Sequence, residues 1–336
     1  MRCAAVHAGS TAALAGVSAG DLVVSLGGHP VRSLQELRTA LRGLDEEAEF
    51  TYPRPAFGGS VEITFSRDGA LHTGLAPVLR HPSASGVEYG QVELEGLRLR
   101  TLRTRPSQPA PTVLFLQGLG CDTVEGEPIA SVVRAWAPSV GTLRVERPGV
   151  GDSDGGPFSE LDFETEVAMI RAVLREEERV VLFGHSVGGM VAPLVADPLA
   201  VMAVIVFGAS SARWSGCLAA STRRQLAGRG ASESEIERTL ARERHELATY
   251  PTPFGRAAAF HRQLEATDLA AAWARVDKPT LVLHGENDDV VGEDESRVIA
   301  GLAQGTFVRI PAMDHAFHPL HPAFVETTLA WIDSHA

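Results

Sequence analysis

Short apolar runs at Thr112–Leu116, 143–145, 180–183, Val201–Phe207, 280–283 and 307–310 read as successive sheet strands. Segments with a helical period stand between several of them; Phe163, Val167, Ile170 and Leu174, for example, fall on one face of a single helix. Runs too continuous to alternate between core and solvent belong to strands covered on both faces. Their alternation with helices predicts a largely parallel sheet flanked by helices, an α/β architecture. Just ahead of this region, residues 92–94 and 97–99 read as an antiparallel hairpin through Glu95-Gly96.

The first part of the chain has a different rhythm. Residues 21–26 suggest a strand, Gly27-Gly28 a turn, and residues 33–41 a short helix with Leu34, Leu37 and Leu41 on one stripe. Ser33 caps that helix while Glu36 reciprocates from its third position. Residues 61–65 alternate as a half-buried strand closed by the Arg67-Asp68-Gly69 turn. The turn-rich stretch 81–86 then marks a boundary. The expected organisation is a small domain over 1–80, a linker over 81–90 and a larger domain over 91–336.

Three stretches carry a resemblance to a known family: Gly9-Ser10-Thr11-Ala12-Ala13-Leu14-Ala15-Gly16-Val17, Gly20-Asp21-Leu22-Val23-Val24 and Gly27-Gly28-His29-Pro30-Val31, with Ser66-Arg67-Asp68-Gly69 at the end. In this order they resemble a bacterial PDZ domain. The resemblance implies that a peptide carboxy terminus adds as a strand at an exposed sheet edge, with its last side chain in an apolar pocket. The family's usual first strand and carboxylate-receiving loop would precede residue 1, since the chain opens almost directly with a strand at 3–6. Residues 50–59 add a Pro/Gly-rich insertion. The expectation is therefore a truncated or atypical PDZ-like domain, in which peptide contact and a purely structural role stand side by side.

Charge removes some functions. With 30 Lys and Arg against 42 Asp and Glu, the net charge is -12, which disfavours a nucleic-acid partner. Arg98, Arg100, Arg103 and Arg105 alternate with apolar residues and are expected on the solvent face of strands. Cys3, Cys121 and Cys217 have neither metal-ligand spacing nor the density of a disulfide framework. No basic stretch followed by a long apolar core opens the chain, and no apolar run is long enough to span a bilayer. A cytoplasmic protein with no metal, no cofactor and no membrane span is expected.

The candidate chemistry centres on Gly184-His185-Ser186-Val187-Gly188-Gly189, between an apolar strand and a helix-compatible segment. Glycines at 184 and 188 let the strand turn abruptly into the helix, leaving Ser186 on the corner with its hydroxyl exposed. A serine nucleophile needs a base, an acid to orient the base, and donors for the developing oxyanion. Asp288 lies just beyond the strand at 280–283, and His315 follows the next strand. Asp289 is the nearest rival for the acid and Asp314 a weaker one. His185, beside the serine on a sharp turn, is expected to pack or hydrogen-bond structurally.

The order serine, aspartate, histidine and these motifs make residues from about 90 to 336 similar to the α/β-hydrolase superfamily. The resemblance implies Ser186 as nucleophile, His315 as base and Asp288 as its orienting acid. It also implies an oxyanion hole from the amides of Val187 and Leu119, the latter in the loop Leu116-Gln117-Gly118-Leu119-Gly120-Cys121, where Gln117 replaces a common histidine. The segment Arg147-Pro148-Gly149-Val150-Gly151-Asp152-Ser153-Asp154 lacks both the P-loop ending and the dinucleotide fingerprint. It reads as a shaping loop, with Arg147 and Asp152 bracing it.

Residues 211–273 occupy the position where related hydrolases insert a helical cap. Ile236, Leu240 and Leu247 suggest an apolar helix face, residues 250–255 interrupt the helical pattern, and Trp214, Tyr250, Phe254 and Phe260 are candidate pocket residues. The leading expectation is a serine ester or thioester hydrolase acting on a small-molecule acyl substrate, a peptide or a carrier-bound acyl chain. A serine peptidase, an acyltransferase or cyclising enzyme, and a non-catalytic binding scaffold remain open.

Overall fold

Each apolar run in the second half of the chain becomes a strand whose successive side chains enter two different cores. The computed structural model describes residues 3, 6, 10–32, 59–77, 86–120, 123–126, 128–151 and 153–336. Two compact units divide the chain, residues 1–85 and 86–336. The expected helix at 33–41, most of the 50–59 insertion, most of the 3–6 strand, residues 81–85, and Gly9, Cys121 and Asp152 lie outside the described residues.

In the first unit, strands β1 (Leu22–Leu26), β2 (His29–Pro30), β3 (Ser60–Arg67) and β4 (Ala70–Pro77) form an antiparallel sheet in the order β2-β1-β3-β4. Val61, Ile63 and Phe65 of β3 point inward and join Val23, Leu26, Val17 and Ala76 in a small core. The period-two pattern of residues 61–65 arises because one face is packed and the other wet. Helix α1 (Thr11–Leu14) is capped by Ser10, whose hydroxyl accepts the Ala13 amide at 3.2 Å. Asp21 is buried and held by Arg67 at 2.6 Å, and this charge-assisted bond lowers its pKa.

The second unit is built on β5 (Val87–Leu94), β6 (Leu97–Thr104), β7 (Thr112–Leu116), β8 (Gly141–Val145), β9 (Val180–His185), β10 (Val201–Phe207), β11 (Thr280–Gly285) and β12 (Thr306–Ile310). They form one sheet in the order β12-β11-β10-β9-β7-β8-β6-β5, parallel from β12 to β8 and antiparallel at the β6 and β5 edge. The mostly parallel sheet anticipated from the sequence is present. Val180 and Leu182 enter one core while Val181 and Phe183 enter the other.

Helices α3 (Phe163–Arg175), α4 (Val187–Val195) and α9 (Glu293–Leu302) cover the first of these faces. Helices α2 (Ile129–Trp136) and α10 (Pro322–His335) cover the second. The chain leaves β7 for β8 on one side and returns to β9 on the other, so the carboxyl ends of β7 and β9 border a crevice, the usual ligand position in such sheets.

Between β10 and β11 lie α5 (Trp214–Gly228), α6 (Glu233–Thr249), a 3-10 turn at Pro253–Gly255, α7 (Ala258–Ala266) and α8 (Leu269–Trp273). Helices α5 and α6 pack on each other. Phe260, Leu264, Leu269 and Trp273 of α7 and α8 instead join the main core beside Phe163. One expectation about the sheet is corrected: Arg100 is not on a solvated face. It is buried, lies 4.5 Å over the Tyr89 ring and pairs with Glu125 at 3.1 Å. Desolvation of its guanidinium is offset by that carboxylate.

Candidate active site

Strand β9 ends at His185 and α4 begins at Val187, so Ser186 alone makes the turn, with φ 54° and ψ -120°. A non-glycine residue at positive φ is strained by roughly 1–3 kcal/mol. The surrounding contacts hold it there: the Ser186 amide donates to the Phe207 carbonyl at 3.0 Å. The glycines around it are required by close approach. A Cβ on Gly184 would stand 2.7 Å from the Gly188 carbonyl, and one on Gly188 would overlap the Leu116 carbonyl.

Asp288 and His315 arrive from loops after β11 and β12. His315 Nδ1 lies 2.8 Å from Asp288 Oδ2; the Asp288 side chain is fully buried and that of His315 is 15% exposed. The other Asp288 oxygen accepts the amides of Val290 and Val291 at 2.9 and 2.8 Å. Burial alone raises the Asp288 pKa, but the hydrogen bond from His315 and those two amides outweigh it and leave the carboxyl below its ordinary value. Asp289 is exposed, and Asp314 uses Oδ1 to accept the amides of Ala316 and His318 within its own loop. Asp288 is thus the carboxylate that meets His315.

His185 sits against the same imidazole, with ring centroids 4.9 Å apart, and its Nε2 is 2.8 Å from the His315 carbonyl. Burial, reinforced by the neighbouring His315, lowers its pKa to about 3, so the ring is neutral at ordinary pH. It fixes the backbone of the histidine loop.

Ser186, Val187, Leu119 and His315 line one cavity of about 550 Å3. Its wall carries the apolar side chains Met190, Trp214 and Leu218 and the polar Ser221, Thr222, Gln225 and Glu243. The volume suits a small organic ligand. The loop after β7 passes close to the serine, since a Cβ on Gly118 would lie 3.3 Å from Ser186 Cβ. Gln117 Nε2 donates to the Val145 carbonyl at 2.9 Å, tying that loop to β8. Among the described residues, no group of three or more His, Cys, Asp or Glu is arranged to hold a metal ion. Nor is any described helix long and apolar enough to cross a membrane.

Residues 113–328 match the model of the alpha/beta hydrolase family. The chain belongs to the α/β-hydrolase family. The fold is shared with VinJ (TM-score 0.57, 17% identity, covering 74% of this chain and 99% of that one) and with DcsB, solved in complex with its substrate analogue (TM-score 0.56, 15% identity, 74% and 100%). Est1E from Butyrivibrio proteoclasticus also shares it (TM-score 0.52, 18% identity, 74% and 97%). Residues 3–51 match the PDZ domain model, so the chain carries a PDZ-type domain at its amino-terminal side. No curated protein matches the chain.

Of the four aromatic pocket candidates, Trp214 and Phe254 line the cavity and Tyr250 and Phe260 do not. Phe260 is completely buried between Phe163, Trp214 and the Arg256 guanidinium, because α7 packs into the main core. Tyr250 is 53% exposed at the end of α6. Trp214 is fixed by a 2.8 Å bond from its Nε1 to His261 Nδ1.

One residue at this site escaped the sequence reading. Gly208 follows β10 with φ +57°, and a Cβ there would stand 2.8 Å from both Asp288 Oδ2 and His315 Nδ1. A glycine directly after a continuous apolar run, Val201–Phe207, is the signal that marks it. Two more residues, Glu166 and Arg256, belong to the ground beneath the loop at 117–120.

Proposed function

We propose that the chain is a serine hydrolase of esters or thioesters that works through an acyl-enzyme on Ser186. The observation carrying this reading is the strained Ser186 corner, which shares one cavity with His315 while Asp288 grips the far nitrogen of that imidazole. Ser186 Oγ attacks the substrate carbonyl carbon as His315 Nε2 takes its proton. The amides of Val187 and Leu119 receive the oxyanion; Val187 is the first residue of α4, where helix amides lack an intrahelical partner. Collapse of the tetrahedral intermediate breaks the bond to the alcohol or thiol, which leaves with the proton from His315. Water, deprotonated by the same imidazole, then attacks the acyl-serine, and Ser186 leaves with the returned proton.

A cavity of about 550 Å3 and the apolar side chains in its wall, Met190, Trp214 and Leu218 among them, support a small acyl group over a folded protein substrate. The test is labelling with a fluorophosphonate probe, followed by turnover of a panel of p-nitrophenyl esters, acyl thioesters and peptides. Label on Ser186 and a fall of about 10⁴-fold or more in kcat for Ser186→Ala are expected. Unchanged turnover in that variant would sink the reading.

The PDZ-type match over 3–51 supports a second contact, with a peptide carrying a free carboxy terminus. We assign this to a domain over 1–80, joined by a linker over 81–90 to the hydrolase domain over 91–336, whose cap spans 211–273. Equal binding of free-acid and amidated peptides would rule that contact out.

A further inference from the structure

We propose that Glu166 and Arg256 are positioning residues that, with Arg147, hold the oxyanion loop in its working orientation, an inference that rests on the hydrolase reading above. Arg147 donates to the carbonyls of Gln117 at 3.2 Å, Gly118 at 2.5 Å and Gly120 at 2.6 Å. Arg256 takes the remaining carbonyl, Leu119, at 3.2 Å. Every carbonyl from 117 to 120 is therefore drawn toward a guanidinium.

The direction of those carbonyls fixes the amides. In a trans peptide the C=O and N–H point in opposite directions, and the one cis bond among the described residues is His318-Pro319. Because the Gly118 carbonyl faces Arg147, the Leu119 N–H of the same peptide faces away from it. The loop is next to Ser186, as the Gly118 approach shows. Leu119 is the donor that the acyl-enzyme mechanism requires, and the guanidiniums orient it through the carbonyls of its loop.

Glu166 makes the arrangement possible. Its carboxylate lies 3.0 Å from Arg147 Nε and 2.5 Å from Arg256 Nη2, and all three side chains are at most 3% exposed. Two buried cations this close would repel strongly without an anion between them. Arg256 is further fixed by the rings of Phe158 and Phe260, 4.3 and 3.8 Å from its guanidinium. Its guanidinium is planar and permanently charged, so it binds Glu166 and Leu119 at once.

The three side chains come from distant parts of the chain. Arg147 follows β8, Glu166 is on α3, and Arg256 follows the 3-10 turn whose Phe254 lines the cavity. The seating of the segment over the cavity is thereby coupled to the orientation of Leu119. A substrate that settles against Phe254 presses on a backbone two residues from the clamp.

Arg256→Met tests this in the full chain, since it removes one donor and leaves Arg147 and Glu166 as a balanced pair. Amide hydrogen exchange should quicken in residues 117–120 while β9 and β10 keep their protection. With p-nitrophenyl butyrate, kcat should fall about 10- to 100-fold and KM stay within about twofold. Arg256→Lys keeps the charge beside Glu166 but cannot make the second bond equally well, so its kcat should fall between the two; it carries the same test if the Met variant does not fold. Unchanged exchange at 117–120, or exchange that rises evenly through the sheet, would overturn the clamp. If the wild type neither labels nor turns over, the hydrolase reading fails, while local loosening of 117–120 in the variant still upholds the clamp.

Discussion

Two buried carboxylates organise the carboxyl edge of the sheet, and they are used in different ways. Asp288 meets an imidazole whose side chain is 15% exposed and lines the cavity, so the pair ends on a group that can exchange a proton. Glu166 meets two guanidiniums, Arg147 and Arg256, that are almost wholly enclosed and end on backbone carbonyls. Arginine does not release its proton in a protein. The first network is suited to moving charge during a reaction and the second to keeping a loop from moving.

The sharpest way to break this comparison is to neutralise each carboxylate. Asp288→Asn should lower kcat by about 10⁴-fold with the fold intact, because the amide no longer selects the imidazole tautomer that leaves Nε2 free to accept. Steady-state kinetics with a p-nitrophenyl ester checks this. The same change at Asp289 or Asp314 should alter kcat by no more than about threefold, since the His315 ring bonds Asp288 while Asp289 is exposed and Asp314 bonds amides of its own loop. A large loss at Asp314 with none at Asp288 would reassign the acid.

Gly208→Ala probes the same pair by geometry alone. The new methyl would fall 2.8 Å from both Asp288 Oδ2 and His315 Nδ1, so one of them must shift. A displacement near 1 Å at a reacting group costs about 10²-fold in rate. The expected result is such a loss with KM preserved, measured beside a melting curve that falls only by the modest strain of alanine at positive φ. Wild-type turnover would show that the pair has room to spare.

Acid should separate the two networks less steeply. His185 is neutral in the folded protein with a pKa of about 3, whereas an unfolded histidine titrates near 6.5. Below about pH 6.5 the unfolded chain binds the proton first, so stability is lost as pH falls from there toward 3, by at most about 2 kcal/mol down to pH 5. His261 adds to the same slope. Burial lowers its pKa, and its Nδ1 accepts from Trp214 while Nε2 bonds the Pro253 carbonyl, an arrangement that only the neutral ring can make. Urea titrations at pH 7 and 5 should show the loss, and His261→Gln should flatten it.

How far such features can be read in advance depends on whether they repeat along the chain. The strand at Val201–Phe207 announces itself because seven neighbouring positions are all apolar, and the serine corner because close approach demands glycine at fixed offsets. The hairpin, the helix at Phe163–Arg175 and the spacing of Asp288 and His315 after their strands are legible for the same reason. Glu166 was partly legible: it falls three positions after Phe163 and four before Ile170, a charge on an otherwise apolar helix face. Arg256 sits in an irregular turn with no period around it. Its role exists only once Leu119 and Glu166 are brought to it, and no local pattern records that meeting.

The four aromatics between β10 and β11 show the same limit and give the smallest effect. Composition alone makes them equivalent, yet each occupies a different environment. Phe254 faces the cavity, so Phe254→Ala should raise KM a few-fold for acyl esters. Tyr250 projects from the end of α6, where its ring meets the His245 ring edge-on at 6.4 Å and stands 53% exposed. Its ring is about half exposed, so Tyr250→Ala should cost about 1 kcal/mol of stability, well below the loss expected for a fully buried aromatic. Its KM should match the wild type on every ester tested; a rise equal to that of Phe254→Ala would mean that Tyr250 reaches the substrate after all.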